Sequence, residues 1–163
     1  NIKRVEMPGK SDEELANITW KVYEKFRYRS VFTKNQTLQG LIRTEYQCSK
    51  CEQRITVLFD EFTVLKIPII NSKKNVSFEN CLKEYIKPQL FKNNIRECSN
   101  CKRERFTKET KTIYYPPEYL ILAVDRFNLD TMEKNYANVK PCLLLDFSPF
   151  SARCNTISNS TVS

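Results

Sequence analysis

The sequence predicts an α+β fold, and three observations carry that reading. Two segments place apolar residues at helical spacing. Several stretches rich in β-branched and aromatic residues have strand character. Two Cys-x-x-Cys pairs, Cys48/Cys51 and Cys98/Cys101, sit as matching turns among those strands.

The elements follow in order. Ser11-Asp-Glu-Glu14 forms a capping box, in which a serine hydroxyl and a carboxylate three residues on satisfy each other's backbone N–H groups. Leu15, Ile18, Val22 and Phe26 then recur at helical spacing with Trp20 and Tyr23 on the flank, predicting a helix over 12–27. Arg43 to Cys48 reads as a strand entering the first cysteine turn. Ile55 to Ile67 reads as one long strand or a bent pair, and the slip in apolar phase at Asp60-Glu61 predicts a bulge there. Asn71 to Asn75 is a polar turn. Ser77 caps a second helix over 77–87, with Phe78, Cys81, Leu82, Tyr85 and Ile86 on one face and Pro88 at its end. Arg96 to Lys102 is the second cysteine turn. Thr107 to Tyr115 is a half-exposed strand. Pro116-Pro117 breaks the chain, and the continuous apolar run Tyr119 to Val124 predicts a central strand. Val139 to Phe147 reads as a last strand. Residues 1–10 are expected to be a flexible segment and 151–163 a disordered, Ser/Thr/Asn-rich tail.

The cysteine pairs carry the chemistry. A Cys-x-x-Cys turn can place both sulfurs on one cation, and two such turns complete a tetrahedral four-thiolate shell for Zn²⁺. Cys48-Ser-Lys-Cys51 and Cys98-Ser-Asn-Cys101 share one form, as paired zinc knuckles should. Residues 52–97 lie between them, far more than a compact zinc ribbon needs, so a strand-and-helix excursion must be inserted. Two redox motifs, or thiols with no ligand, would leave the duplication unexplained. Of the remaining cysteines, Cys81 reads as a small core residue, Cys142 flanks a strand and Cys154 lies in the tail.

Composition narrows the function. The chain has no histidine, which removes the commonest general base and the usual partner of a cysteine nucleophile. Two glycines among 163 residues exclude the glycine-rich phosphate loops. No segment is apolar enough to span a bilayer, and the charged start is unlike a signal peptide. Seven cysteines cannot all pair, and without a secretory signal an intracellular location, cytoplasm or nucleus, is expected. The first residue is Asn1 rather than Met, which points to a piece of a longer chain. The net charge of +8 permits nucleic-acid contact without demanding it, because acids are interspersed throughout.

The residues around the knuckles resemble the ubiquitin-specific proteases, a family of thiol-dependent deubiquitinases with a papain-like fold. Thr37-Leu-Gln-Gly40, Gln47-Cys48-Ser-Lys-Cys51 and Phe59-Asp-Glu-Phe62-x-x-Leu65-x-Ile67-Pro68 are similar to the start of that family's fingers. Ser77-Phe-Glu-Asn-Cys-Leu82 resembles its following helix. Cys98-x-x-Cys101, Tyr115-Pro-Pro117, Leu120-Ile-Leu122 and Asp125-Arg-Phe127 resemble its second knuckle and the strand ending in Arg-Phe, and Leu145-Asp146 its next strand. The resemblance covers about 20–150. It implies a partial protease domain over 11–150, with fingers at about 37–112 and an antiparallel palm sheet extended by zinc-tipped strands. It also implies structural Zn²⁺ on Cys48, Cys51, Cys98 and Cys101, and ubiquitin or a ubiquitinated protein as partner. Asp60, Glu61, Phe62 and Arg126 are the implied ubiquitin contacts, with Phe127 in the core and Arg126 paired to a carboxylate.

The family's asparagine–cysteine nucleophile box should lie ahead of residue 1, and its glycine–histidine–tyrosine box after Phe150. Its Leu-Lys-Arg-Phe is Val124-Asp-Arg-Phe127 here, and its glutamine–aspartate stretch is absent or eroded to Ser11–Leu15. No catalytic residue transfers, so the chain alone is expected to bind weakly and cleave nothing. Two other readings compete. One is a zinc-ribbon module binding nucleic acid through its basic middle third, which a steep salt dependence would reveal. The other is an inactive remnant.

Overall fold

The computed structural model describes residues 9–27, 38–70, 75–128 and 132–152. The expected turn at 71–75 and the tail from 153 therefore lie mostly outside the described residues, as do 1–8 and Cys154. Helix α1 (Asp12–Arg27) is followed by β1 (Gly40–Cys48), β2 (Arg54–Phe62), β3 (Val64–Pro68), β4 (Val76–Ser77) and α2 (Phe78–Ile86). Then come β5 (Gln89–Cys98), β6 (Arg103–Tyr115), β7 (Ile121–Asp125), β8 (Phe127–Asn128), β9 (Glu133–Lys134) and β10 (Val139–Lys140), with a 3₁₀ turn at Ser148–Phe150. The class is α+β. An antiparallel sheet of four strands in the order β2-β1-β6-β5 is its centre, and β3-β7 and β4-β10 are parallel pairs beside it.

Two cores lie on opposite faces of this sheet, because successive strand residues point to opposite sides. Val57 and Phe59 of β2 pack with Leu15 and Ala16 of α1 and with Leu41, while Phe62 and Ile113 pack with Cys81 and Leu82 of α2. The capping box at α1 is present: Ser11 N–H donates to Glu14 Oε2 at 2.9 Å, and Glu14 N–H donates to Ser11 Oγ at 3.2 Å. Its buried stripe is Leu15, Ala16 and Thr19, rotated from the Leu15/Ile18/Val22 line that the periodicity suggested. Trp20 accounts for the rotation, since its ring stacks on Tyr115 with centroids 5.8 Å apart and brings that side of the helix to the sheet. Asp12 pins the start of α1, bonding Arg43 Nε at 2.7 Å and also meeting Arg54. Helix α2 has the expected cap, with Asn80 N–H donating to Ser77 Oγ at 3.2 Å, and the expected buried pair Cys81 and Leu82.

Several expectations need correction. The bulge lies beside the first cysteine turn, where the β1–β2 register shifts between Tyr46 and Gln47, and the ladder is regular through Asp60 and Glu61. The phase slip seen in sequence records something else: Val57, Leu58 and Phe59 are all buried because both faces of the sheet are covered, and the chain leaves the sheet at Thr63. The run at 119–124 forms β7, which among the described residues pairs with β3 alone, so it is a half-exposed edge and not a central strand. Val139 to Phe147 is strand only at Val139–Lys140, and Leu143 and Leu144 face solvent. Phe127 is 49% exposed on the short β8 ribbon and is no core residue. Strand β5 was missed, because Lys87-Pro-Gln and Lys92-Asn-Asn read as polar punctuation, whereas pairing with β6 absorbs the irregularity between Phe91 and Ile95. Phe150 is buried in the α2-side core. Ala152 N–H donates to Ile113 carbonyl oxygen at 3.0 Å, so the first residues of the expected tail are docked on the sheet.

Candidate metal centre

The topology explains why two distant cysteine turns meet. Strands β1 and β2 form one hairpin and β5 and β6 another. The antiparallel β1–β6 pairing sets Cys48 opposite Thr107, so both turns project from one end of the sheet. Ser49 N–H donates to Phe106 carbonyl oxygen at 3.0 Å and ties the first turn to the second hairpin. The turns have the same backbone. Glu52 N–H bonds Cys48 carbonyl at 2.9 Å and Lys102 N–H bonds Cys98 carbonyl at 2.8 Å, and each donor residue is left-handed, with φ of 56° at Glu52 and 53° at Lys102.

This repeated turn converges four sulfurs. All the Sγ atoms of Cys48, Cys51, Cys98 and Cys101 lie within 4.8 Å of one another. Cys48 and Cys101 are 3.9 Å apart, and Cys51 and Cys98 3.6 Å. A Zn–S bond of about 2.3 Å gives a tetrahedron with an edge of about 3.8 Å, so the cluster fits the ion, whereas a disulfide would need about 2.05 Å. The first cysteine of each turn is buried and the second half-buried. Among the described residues every cysteine is free, including Cys81 in the core and exposed Cys142.

Local hydrogen bonds favour thiolate on the first hairpin. The Cys51 backbone N–H lowers the Cys48 pKa, and the Gln53 backbone N–H, then the Asn100 side chain, lower Cys51 to about 6. Cys101 is pushed up to about 11 by the neighbouring Cys51 thiol, then by burial and the other two sulfurs, with Arg105 opposing. A divalent cation would displace the proton that Cys101 holds. Asn100 and Arg105 were not singled out in the sequence. The only signal for Arg105 is an arginine four residues past the last cysteine on a strand, which spacing alone does not distinguish from Arg103.

The other sequence-predicted residues are not brought together. Asp60 and Glu61 are neighbours in a regular strand, so their side chains point to opposite faces of the sheet. Asp60 lies on the α2 face, where with Glu109 it adds to the burial that pushes Tyr85 up to about 12, and Glu61 lies on the α1 face. Phe62 is 7% exposed, in the α2-side core. Arg126 Nη1 donates to the carbonyl oxygens of Ala137 at 2.8 Å and Asn135 at 3.3 Å, so it staples the loop after β9, and among the described residues no carboxylate is paired with it.

The arrangement defines a class: an α+β domain whose central sheet ends in two hairpins clasped by a four-cysteine cluster. No family model matches the chain. The probable ubiquitin carboxyl-terminal hydrolase 4 of Schizosaccharomyces pombe is 32% identical over 119 residues, covering 72% of this chain and 19% of that protein. Ubiquitin carboxyl-terminal hydrolase Usp2 of Drosophila melanogaster is 27% identical over 119 residues, covering 72% of this chain and 12% of that protein. The SAGA Ubp8/Sgf11/Sus1/Sgf73 DUB module bound to ubiquitin aldehyde shares the fold, with a TM-score of 0.64, 17% identity, and coverage of 86% of this chain and 32% of the solved one. The chain is a partial ubiquitin-specific protease domain that takes in the fingers region. It spans less than a fifth of the curated relatives named above.

Proposed function

We propose that this chain is the zinc-stapled gripping segment of a thiol-dependent deubiquitinase, the class that hydrolyses ubiquitin isopeptide bonds. Cys48, Cys51, Cys98 and Cys101 hold Zn²⁺, and the ion fixes the two hairpins as a rigid surface for the globular body of ubiquitin. The observation that carries this reading is the convergence of the four sulfurs within 4.8 Å of one another, on a fold shared with DUB modules solved with ubiquitin aldehyde and with monoubiquitin. The chain contains no histidine, so a thiol–imidazole pair is not its contribution, and gripping is. Zinc thiolates suit a reducing compartment, cytoplasm or nucleus, and among the described residues no helix is long and apolar enough to cross a membrane.

Asp60 and Glu61 are the acidic contacts, one on each face, able to meet cationic side chains of the ubiquitin tail. Phe62 supports the α2 face from beneath, and Arg126 fixes the loop next to it. The test is a titration of isotope-labelled ubiquitin with the zinc-loaded chain, followed by NMR. Weak, saturable shifts that vanish on chelation are expected, and charge reversal at Asp60 or at Glu61 should weaken binding on the face that ubiquitin covers. Binding that is absent with metal, or unchanged by chelation and by both reversals, would defeat the reading.

A further inference from the structure

The β5–β6 hairpin pairs like with like near its cysteine turn. Ile95 stands opposite Phe106, Arg96 opposite Arg105 and Glu97 opposite Glu104. Opposite charges facing each other would hold a hairpin better, so its own stability does not explain the arrangement. Ile95 and Phe106 are 53% and 45% exposed, an apolar pair left open to solvent. Ser49 N–H donates to the Phe106 carbonyl oxygen at 3.0 Å, which brings the first cysteine turn against this pair. A groove of about 390 Å³, chiefly apolar, is lined there by Ser49, Lys50, Ile95, Glu104, Arg105 and Phe106. Its charged groups are unequal. Glu104 is exposed, so water and salt screen its charge. Arg105 is half-buried, and its Nε is sealed from solvent without a hydrogen-bond partner. A donor in that state is costly unless an acceptor reaches it. Lys50 adds a second cation and Ser49 a hydroxyl.

We propose that this groove docks an acidic segment of a second protein partner, with an apolar side chain seated between Ile95 and Phe106 and a carboxylate received by Lys50 and Arg105. Charge complementarity selects this occupant. Two cations and a hydroxyl converge on an apolar slot, which suits an aromatic or aliphatic residue beside an acid. Arginine and phenylalanine are also enriched in the cores of protein interfaces. The chemistry is opposite to that of Asp60 and Glu61, which call for a cationic ligand, so the groove and the ubiquitin grip are separate sites. The groove depends on the zinc reading only through the first cysteine turn, which forms one of its walls. Arg103, exposed and outside the lining, gives a charge-matched control.

The test is selection of random heptapeptides displayed on phage against the zinc-loaded chain, with counter-selection on K50E. Enriched peptides are then synthesised, labelled and titrated by fluorescence anisotropy. They are expected to carry an acid beside an aromatic or aliphatic residue, and to stay bound when ubiquitin is added. Affinity should fall about fivefold or more in K50E, R105Q, I95S and F106S, and stay within twofold in R103Q. Zinc content and circular dichroism are measured for every variant. Should R105Q lose metal or F106S lose its fold, K50E and I95S decide. No enrichment, enrichment of basic peptides, or binding indifferent to K50E and I95S would overturn the proposal. Displacement by ubiquitin would also overturn it, by assigning the groove to the grip. A wild type that takes up no metal would defeat the zinc reading instead, and the same titrations would still decide the groove.

Discussion

At the residue scale, two positions hold the base of the sheet. Gly40 is where β1 passes closest to its neighbours. A Cβ added there would lie 2.4 Å from the Tyr115 carbonyl oxygen and 2.6 Å from the Phe62 ring. A backbone carbonyl cannot swing aside as a side chain can, so G40A should cost about 2–3 kcal/mol, read as a lower urea midpoint. Asp12 fastens α1 to the sheet. Partial burial opposes its ionisation, but bonds to Arg43 and Arg54 outweigh that and hold the carboxyl below its ordinary range. The stabilisation is therefore complete above the ordinary carboxylate range and is lost as the pH falls through the lowered value. D12N should cost about 1 kcal/mol near neutral pH, and its denaturation midpoint should converge with wild type in acid. The sequence marks Ser11 as a cap but conceals Asp12, because its partners Arg43 and Arg54 are distant in the chain and only the fold brings them to it.

At the element scale, legibility followed locality. Helices α1 and α2 carry their own caps and periodicity, so both were readable to within a residue or so of their ends. Strand β5 was not, because its asparagines and lysine become strand only by pairing with β6. The apolar runs misled in the opposite direction. Ile121–Asp125 has the composition of a central strand yet, among the described residues, pairs on one side, and Leu143-Leu144 lies outside any strand. Apolar composition reports that a surface is to be covered, not which element covers it. The cysteine turns were legible as ligand sets because their chemistry is contained in four residues each. Their left-handed Glu52 and Lys102 were not, since glycine, the usual marker, is missing. Replacing either with glycine should relieve strain and raise stability by about 0.5–1 kcal/mol, seen as a higher denaturation midpoint in the metal-loaded protein.

At the scale of the whole molecule, the clasp of two hairpins by one cluster dominates. Zinc binding in finger peptides is worth about 10–16 kcal/mol, comparable to or above the stability of an entire domain, so the metal should govern whether the hairpin ends stay ordered. Away from the cysteine turns the chain carries exposed apolar side chains: Leu143 is fully exposed and Leu144 93% exposed. Exposure of this kind drives association, and L143E/L144E should lower concentration-dependent light scattering without moving the melting temperature. The most direct measurement is the metal content of the purified chain by native mass spectrometry, paired with thiol titration of the folded protein. One zinc ion per chain, with Cys48, Cys51, Cys98 and Cys101 protected until a chelator is added, is the predicted result. A folded, metal-free chain whose cysteines react at once with a thiol reagent would contradict it.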